Sequence, residues 1–427
     1  VCMFCYIAQV SARPNAFVKY EVERVETGSD SENTLLLPYA FSTEGTGLVI
    51  GFGATVRGYH QEQMTLGATA FAGADSYAVL GGVWDYRFSR NERLYISAIG
   101  MLGYFPRNRA YSAPPNVFVP PDEARPGSND SSSEQFIEGA GVSDWLDIKL
   151  EYALPIGATR DAGMVTYRLA EGLLISEPSG GGVWNPRERG ATVLMLRQYN
   201  RNQSYDVEEG TVGGRLHALE VGILYDNTDF TVNASRGNTQ YFAVHHDPAW
   251  FDSQEKWSFA EFEASQYFSL GYSRYASQRI IAINGWTGYS PSWKVETNSQ
   301  GGSRVVNGPP FLAGANLGGF NRMRGYSQNR FHDKAVLYTT LEYRYTLRYN
   351  PIRGVEWLSF LNLDWFQMVG FVEGGRVAPN YNSELLQDWK SDFGLALRAM
   401  AGGLVVRFDL ARSDEGTNGW VMVGHPF

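Results

Sequence analysis

Between Leu404 and Ala411 the chain reads LVVRFDLA, and two kinds of side chain alternate through it without a break. Leu404, Val406, Phe408 and Leu410 project to one side; Val405, Arg407, Asp409 and Ala411 project to the other. Successive side chains of a strand point to opposite faces, so charges at every second position need a wet or polar surface in front of them. LEYRYTL repeats the pattern, with Leu341, Tyr343, Tyr345 and Leu347 set against Glu342, Arg344 and Thr346. Such strands suit a soluble sheet, or the wall of a transmembrane barrel whose outside meets lipid and whose inside is polar. A charge turned to hydrocarbon near the midplane would cost about 2–4 kcal/mol.

Segments of this kind recur. GLVIGFGATVRG, MTLGATAFAG, YAVLGGVWDYRF and RLYISAIGMLGY follow one another across short polar links. A tilted strand needs roughly 9–11 residues to cross a bilayer, and links this short join antiparallel neighbours. FPRNRAYSAPPNVFVPPDEARPGSNDSSSEQ cannot build a core and reads as a loop. The strands resume with DWLDIKLEYALP, GMVTYRLAEGLLI, ATVLMLRQYNRNQ and TVGGRLHALEVGILY, and continue to GWVMVGHPF at the C-terminus, sixteen in all. An even count is the rule for single-chain bacterial barrels. No apolar run of about 18 residues is present, so no transmembrane helix is expected. No blade-length repeat supports a propeller. Tyr59, Trp84, Tyr104, Trp250, Trp286, Trp357 and Trp420 lie near strand ends, where an interfacial girdle would place them.

The fold expected is all-β: a 16-stranded antiparallel transmembrane β-barrel over residues 47–427, with an extracellular loop, 290–334, inserted in its lumen. Residues 1–12, VCMFCYIAQVSA, hold Cys2 and Cys5 and read as the tail of a secretory signal peptide. Residues 13–46 read as an N-terminal periplasmic arm. A net charge of -9 argues against a nucleic-acid surface. No nucleophile, base and orienter cluster locally, and neither an enzyme nor a cofactor is expected. His245 and His246 are adjacent in a strand, which turns them to opposite faces and makes them a poor metal pair.

LGGFNRMRGYSQNRFHD, Leu317 to Asp333, is polar, glycine-rich and bears three arginines. A loop of this length and charge is costly to order unless it rests in something. Followed by KAVLYTTLEYR, it resembles the lid-loop signature of the outer-membrane assembly superfamily, which includes BamA- and TamA-type insertases, two-partner secretion translocators and "bacterial surface antigen" barrels. The resemblance rests on Gly318 and Gly319, Arg324-Gly325-Tyr326, Phe331 and Asp333, and Glu342-Tyr343-Arg344. GFVEGGRV is similar to the family's acidic strand-thirteen motif, which makes Glu373 the expected partner of Arg324. YDNTDFTVNASRG resembles a further family segment, with Thr228 and Ala234 as departures.

A buried arginine must be paired. Glu373 is the first choice of wall carboxylate for Arg324, with Asp409 and Glu342 as rivals. Gly325 lets the chain turn, and Tyr326 offers an amphipathic wedge. The second site is the seam between first and last strands. Gly47, Gly51 and Gly53 weaken the expected first strand; Gly424 and Pro426 weaken the last, which ends on Phe427. The resemblance implies a lateral gate there. It also implies the bacterial outer membrane, among lipid and lipopolysaccharide, and periplasmic POTRA domains; residues 13–46 are too few to hold one, so a short member without POTRA domains is expected. Unfolded outer-membrane proteins or a periplasmic partner are the expected company.

Overall fold

The computed structural model describes residues 15–25, 34–43, 46–114, 117–207, 210–352, 354–356 and 361–427. Both cysteines, the leader expected over residues 1–12, and Trp357 lie outside the described residues. Sixteen strands form one antiparallel sheet in chain order. They are β1 (Thr34–Thr43), β2 (Gly47–Arg57), β3 (Thr65–Gly73), β4 (Tyr77–Phe88), β5 (Asn91–Ala110), β6 (Ile137–Ala153), β7 (Ala191–Val207) and β8 (Gly210–Asp226). The second half is β9 (Gly237–Asp247), β10 (Trp257–Ser269), β11 (Ala276–Tyr289), β12 (Ala335–Leu347), β13 (Leu363–Ala378), β14 (Lys390–Ala401), β15 (Leu404–Arg412) and β16 (Thr417–Val423).

The sheet curls into a barrel whose two faces differ as the alternation requires. On β15, Val405, Arg407, Asp409 and Ala411 are buried, while Phe408 and Leu410 are exposed. On β12, Glu342, Arg344 and Thr346 are buried, and Leu341 and Tyr343 are exposed. The outside carries Leu48, Ile50, Phe52, Leu102, Val221 and Leu395, each largely exposed. An apolar belt of this extent fits a hydrocarbon surround.

The count of sixteen stands, but two members differ from the sequence reading. LLLPYAFST, read as part of an arm over 13–46, is β1, paired from Thr34↔Val56 to Thr43↔Gly47. Its Pro38 is tolerated because the partner-free side of an edge strand needs no donor, and β1 is an edge of the sheet. GMVTYRLAEGLLI, read as a wall strand, lies apart from the barrel sheet. Val165–Ala170 and Leu173–Leu174 join Tyr20–Arg24 in a separate three-stranded sheet. Its parallel ladder runs from Tyr20↔Val165 to Arg24↔Leu169. Val165, Tyr167 and Leu169 are buried and alternate with wetter residues, so alternation alone does not separate a strand inside a barrel from one in its wall.

Residues 15–25 therefore run through the lumen. Asn15 donates to both carboxylate oxygens of Glu220 on β8, at 2.8 and 2.9 Å. Lys19 pairs at 2.6 Å with Asp85 on β4 and at 2.6 Å with Glu151 on β6. Arg24 reaches Asp364 on β13 at 3.1 Å. Val18 and Tyr167 pack with Val193, Leu224, Trp365 and Val405 from the surrounding wall.

Among the described residues no backbone ladder joins β1 to β16. β16 is seven residues long, against 20 for β5. It stops at Val423; Gly424 has φ +86° and donates its N–H to Val405 O at 2.6 Å. The chain then turns inward. Arg398 Nη1 donates to His425 Nδ1 at 2.8 Å, and the Phe427 ring lies 6.3 Å from that of Tyr267 and 4.9 Å from the Arg344 guanidinium. Phe427 thus enters the lumen rather than closing a lipid-facing strand. Gly47, Gly51 and Gly53 fall on β2, one strand away from the seam. Of the aromatics expected in a girdle, Tyr59 and Trp250 are exposed, but Trp286 and Trp420 are buried in the lumen. Closeness to a strand end does not say which face a ring takes.

Candidate functional site

Loop 290–334 leaves β11 and returns to β12, and its glycine-rich part is folded down against the inner wall. Ala315–Leu317 pairs with Phe331–Asp333, so the segment between them is held as a tight finger. Leu317, Met323, Tyr326 and Phe331 share one buried cluster with Tyr199, Trp286, Tyr338 and Val377 of the wall.

Arg324 is fully buried at the tip of the finger. Its Nη2 donates to Glu342 Oε1 on β12 at 3.0 Å. Its Nε lies 3.2 Å from Glu373 Oε2 on β13, and its Nη1 3.7 Å from Asp409 Oδ2 on β15. The guanidinium carbon sits 3.4 Å from the centre of the Phe371 ring. All three carboxylates weighed from the sequence therefore surround one guanidinium, so they are companions, not rivals. The best aligned side-chain hydrogen bond goes to Glu342, while Glu373 also accepts the main-chain N–H of Arg324 at 2.6 Å. A ring of buried wall charges extends outward: Arg344 and Arg398 both pair with Glu342, at 2.8 and 2.7 Å, and Arg407 pairs with Asp409. Isolated charges could not be left in such a place, and mutual pairing is what makes their burial tolerable.

Gly325 is needed for space. A Cβ there would lie 2.6 Å from Asp392 Cβ and 2.9 Å from the Arg412 carbonyl carbon. Its N–H donates to Asp392 Oδ2 at 2.9 Å and its carbonyl accepts from Ser413 Oγ at 2.8 Å. The left-handed residue of the finger tip is Met323, with φ 56°. Tyr326 wedges edge-on against Phe331, with ring centres 5.1 Å apart, and its hydroxyl donates to Asp414 Oδ1 at 2.6 Å.

The sequence reading passed over several members of this site. Trp420 Nε1 donates to Arg324 O at 2.7 Å, and Arg407 Nη2 donates to Phe320 O at 2.7 Å, so β15 and β16 hold the finger's backbone directly. Arg322 pairs with Glu263 on β10 at 2.7 Å and lies 3.7 Å over the Trp286 ring. Arg330 pairs with Glu415 at 2.8 Å and donates to Ser131 O at 2.6 Å. Inward positions beside an arginine-rich loop were the available signal for Glu263. The seam residues do not join this cluster as a set: Gly47, Gly51 and Gly53 belong to β2, while Gly424 and Phe427 lie beyond the end of β16.

A family model described as the Omp85 superfamily domain matches residues 193–420, which takes in the finger and all of its wall partners named here from β8 onward. No curated protein matches the sequence. Solved structures with a similar fold include CdiB from Escherichia coli, at 9% identity and a TM-score of 0.52, matched over 92% of this chain and 60% of that one. CdiB from Acinetobacter baumannii is similar at 10% identity and a TM-score of 0.46, over 92% of this chain and 58% of that one. BamA from Haemophilus ducreyi lacking POTRA domains 1–3 is similar at 12% identity and a TM-score of 0.46, over 92% and 69%. The chain thus spans about three fifths of either CdiB structure. With more than half its length matched by that domain, the chain belongs to the Omp85 superfamily.

Proposed function

We propose that this barrel sits in the bacterial outer membrane and assists insertion, assembly or translocation of outer-membrane proteins or lipids. In this reading the β1–β16 seam is the exit and the Arg324-Gly325-Tyr326 finger keeps the lumen closed. It is an assembly or transport role rather than catalysis. The observation that carries it is the seam, where no ladder joins the two edges among the described residues, with β1 at one edge of the sheet and a seven-residue β16 at the other. An unpaired edge offers its N–H and C=O groups to an incoming strand. Seven residues at ~3.4 Å each, tilted, also fall short of a hydrocarbon core of about 30 Å. Lipid beside the seam would thin to match, which lowers the barrier to a client strand.

Leu35 Cβ stands 3.7 Å from the Cβ position of Gly402, in the turn between β14 and β15. That separation suits a disulfide. Leu35→Cys with Gly402→Cys, in a background carrying Cys2→Ser and Cys5→Ser, should tie β1 to the far side of the seam. Oxidised protein should lose client insertion in a proteoliposome assay, and reduction should restore it. Equal activity in both states would rule out a moving seam. A second reading, a passive channel or structural barrel with a plugged lumen, is favoured by residues 15–25 and the finger both filling the interior. Steady conductance in planar bilayers without client insertion would favour that reading.

A further inference from the structure

On the inner wall, away from the Arg324 cluster, three side chains from consecutive strands converge. Glu220 on β8 is directly opposite His245 on β9, and Glu261 on β10 is diagonal to it, since Ala243 is the residue opposite Glu261. His245 Nε2 lies 3.0 Å from Glu261 Oε1 and 3.8 Å from Glu220 Oε1. All three ligand atoms fall within 4.8 Å of one another. Zinc–nitrogen and zinc–oxygen bonds of about 2.0–2.2 Å place tetrahedral ligands roughly 3.3–3.5 Å apart, so the observed separations bracket the need.

The atoms that do not converge are each held from behind. Tyr199 OH meets His245 Nδ1 at 3.1 Å. Trp286 Nε1 donates to Glu261 Oε2 at 2.7 Å. Arg197 Nη1 donates to Glu220 Oε2 at 2.8 Å. Outer hydrogen bonds of this kind orient metal ligands and fix the imidazole tautomer. Charge permits a cation: Arg197 pairs with Asp147 and Glu220 and Arg201 with Asp147, while Glu261 pairs with His245, so an entering cation takes the place of a proton on that imidazole. The adjacent His246 takes no part and meets Ser258 Oγ at 2.8 Å. The second and third ligands come from neighbouring strands, so the dismissal of His245-His246 as a metal pair does not bear on His245 alone.

We propose that Glu220, His245 and Glu261 form a zinc site on the lumenal wall that fastens β8, β9 and β10 together. One imidazole and two carboxylates suit Zn²⁺, with water completing the shell. Two groups now on Glu220 Oε1, the Tyr241 hydroxyl at 2.5 Å and the Asn15 amide at 2.8 Å, adjust when the metal enters. Asn15 belongs to the segment in the lumen, so its amide is the group that yields. The site also bears on the lid, because Trp286, held by Glu261, is the ring on which Arg322 rests.

The test uses the full chain, purified in detergent, stripped with chelator and dialysed against micromolar ZnCl₂. Elemental analysis should find one zinc per barrel, and zinc should slow proteolysis of loop 290–334. His245→Gln and Glu261→Gln should abolish retention. Tyr199→Phe should weaken it about 10–100-fold. Asn15→Ala should tighten it, and this arm does not depend on altering the wall. His217, which contacts Asp252 on an exposed loop, is the adventitious alternative; His217→Ala should retain full stoichiometry. Absence of zinc from the wild type, or loss with His217→Ala and not with His245→Gln, would overturn the proposal. Heat-modifiable migration of each variant shows that the barrel is folded.

Discussion

Arg324 and Glu373 are joined twice through one oxygen. Glu373 Oε2 lies 3.2 Å from the guanidinium Nε and accepts the main-chain N–H of the same arginine at 2.6 Å. Its other oxygen accepts from Tyr338 OH at 2.6 Å. Glu373 therefore positions the finger's backbone as well as its charge. Removing the carboxylate unseats the turn even if Glu342 and Asp409 still balance the guanidinium.

Arg324→Ala should cost about 3–5 kcal/mol, because it leaves Glu342, Glu373 and Asp409 as buried charges with one partner fewer. The loss should appear as a lower unfolding temperature in heat-modifiability gels and as faster protease cutting of loop 290–334. Arg324→Lys should recover little of it, since an ammonium cannot meet three carboxylates along a planar fork. Wild-type thermal and protease behaviour in Arg324→Ala would show that the finger is held by its apolar contacts alone.

Gly325→Ala should unseat the finger without changing any charge. The added methyl would meet Asp392 Cβ at 2.6 Å and the backbone of Arg412 and Ser413 at 2.9 and 3.0 Å, and backbone of a paired wall strand moves little. Gly285→Ala on β11 is the control, with only Tyr338 O at 3.9 Å in its way. A cysteine at Ser327 should gain reactivity toward a bulky maleimide in the first variant and not in the second. Equal labelling in both would mean that the wall yields.

The lid should also loosen in acid. His332, buried near the end of the loop, is pushed down to about 3 by burial and by the nearby Arg125 guanidinium. Its ordinary value is about 6.5, so the unfolded form binds the proton first as pH falls. Stability from this group is complete above about pH 6.5 and declines toward pH 3, by about 1.4 kcal/mol per pH unit while only the unfolded form is protonated. His332→Phe removes that titration and keeps a ring beside Trp293, whose centre lies 5.1 Å from that of His332. Between pH 7 and 5 the wild-type lid should lose more protease resistance than the variant. Parallel curves would assign the acid response to other groups.

The wall was legible because its rule is local. A period of two identifies Glu342, Arg344, Arg407 and Asp409 as inward without knowledge of any neighbour. The finger was legible through Arg324-Gly325-Tyr326 and its flanks. What escaped was whatever depends on a partner distant in sequence. LLLPYAFST has the length and pattern of a strand, but its proline is acceptable only at a sheet edge, and edges are properties of the closed architecture. Val165–Ala170 alternates as a wall strand does because it, too, has one apolar and one wet face. Phe427 carries no mark in the sequence that distinguishes a final lipid-facing ring from one turned inward after Gly424. The three-way sharing of Arg324 follows from how strands 12, 13 and 15 stand around a common axis.

The segment in the lumen yields a final prediction, which bears on whether the barrel is shut at rest. Burial opposes the charge on Lys19, but Asp85 and Glu151 outweigh that effect and hold its ammonium above the ordinary lysine range. The pair of contacts at 2.6 Å joins the parallel ladder at Tyr20–Arg24, the Asn15–Glu220 and Arg24–Asp364 contacts and the packing of Val18 in holding residues 15–25. Lys19→Met removes the cation and leaves Glu151 with Lys149 at 3.2 Å, while Asp85 loses its close partner. Truncating one side of a buried pair costs about 3–5 kcal/mol, enough to release a short segment from the wall. In planar bilayers the variant should therefore show more frequent and larger openings than the wild type. A cysteine placed at Val18, buried in the parent, should react with a small water-soluble thiol reagent only when Lys19 is absent. Identical conductance and an unreactive cysteine in both proteins would mean that the ladder and the apolar contacts of Val18 hold the plug without the charge.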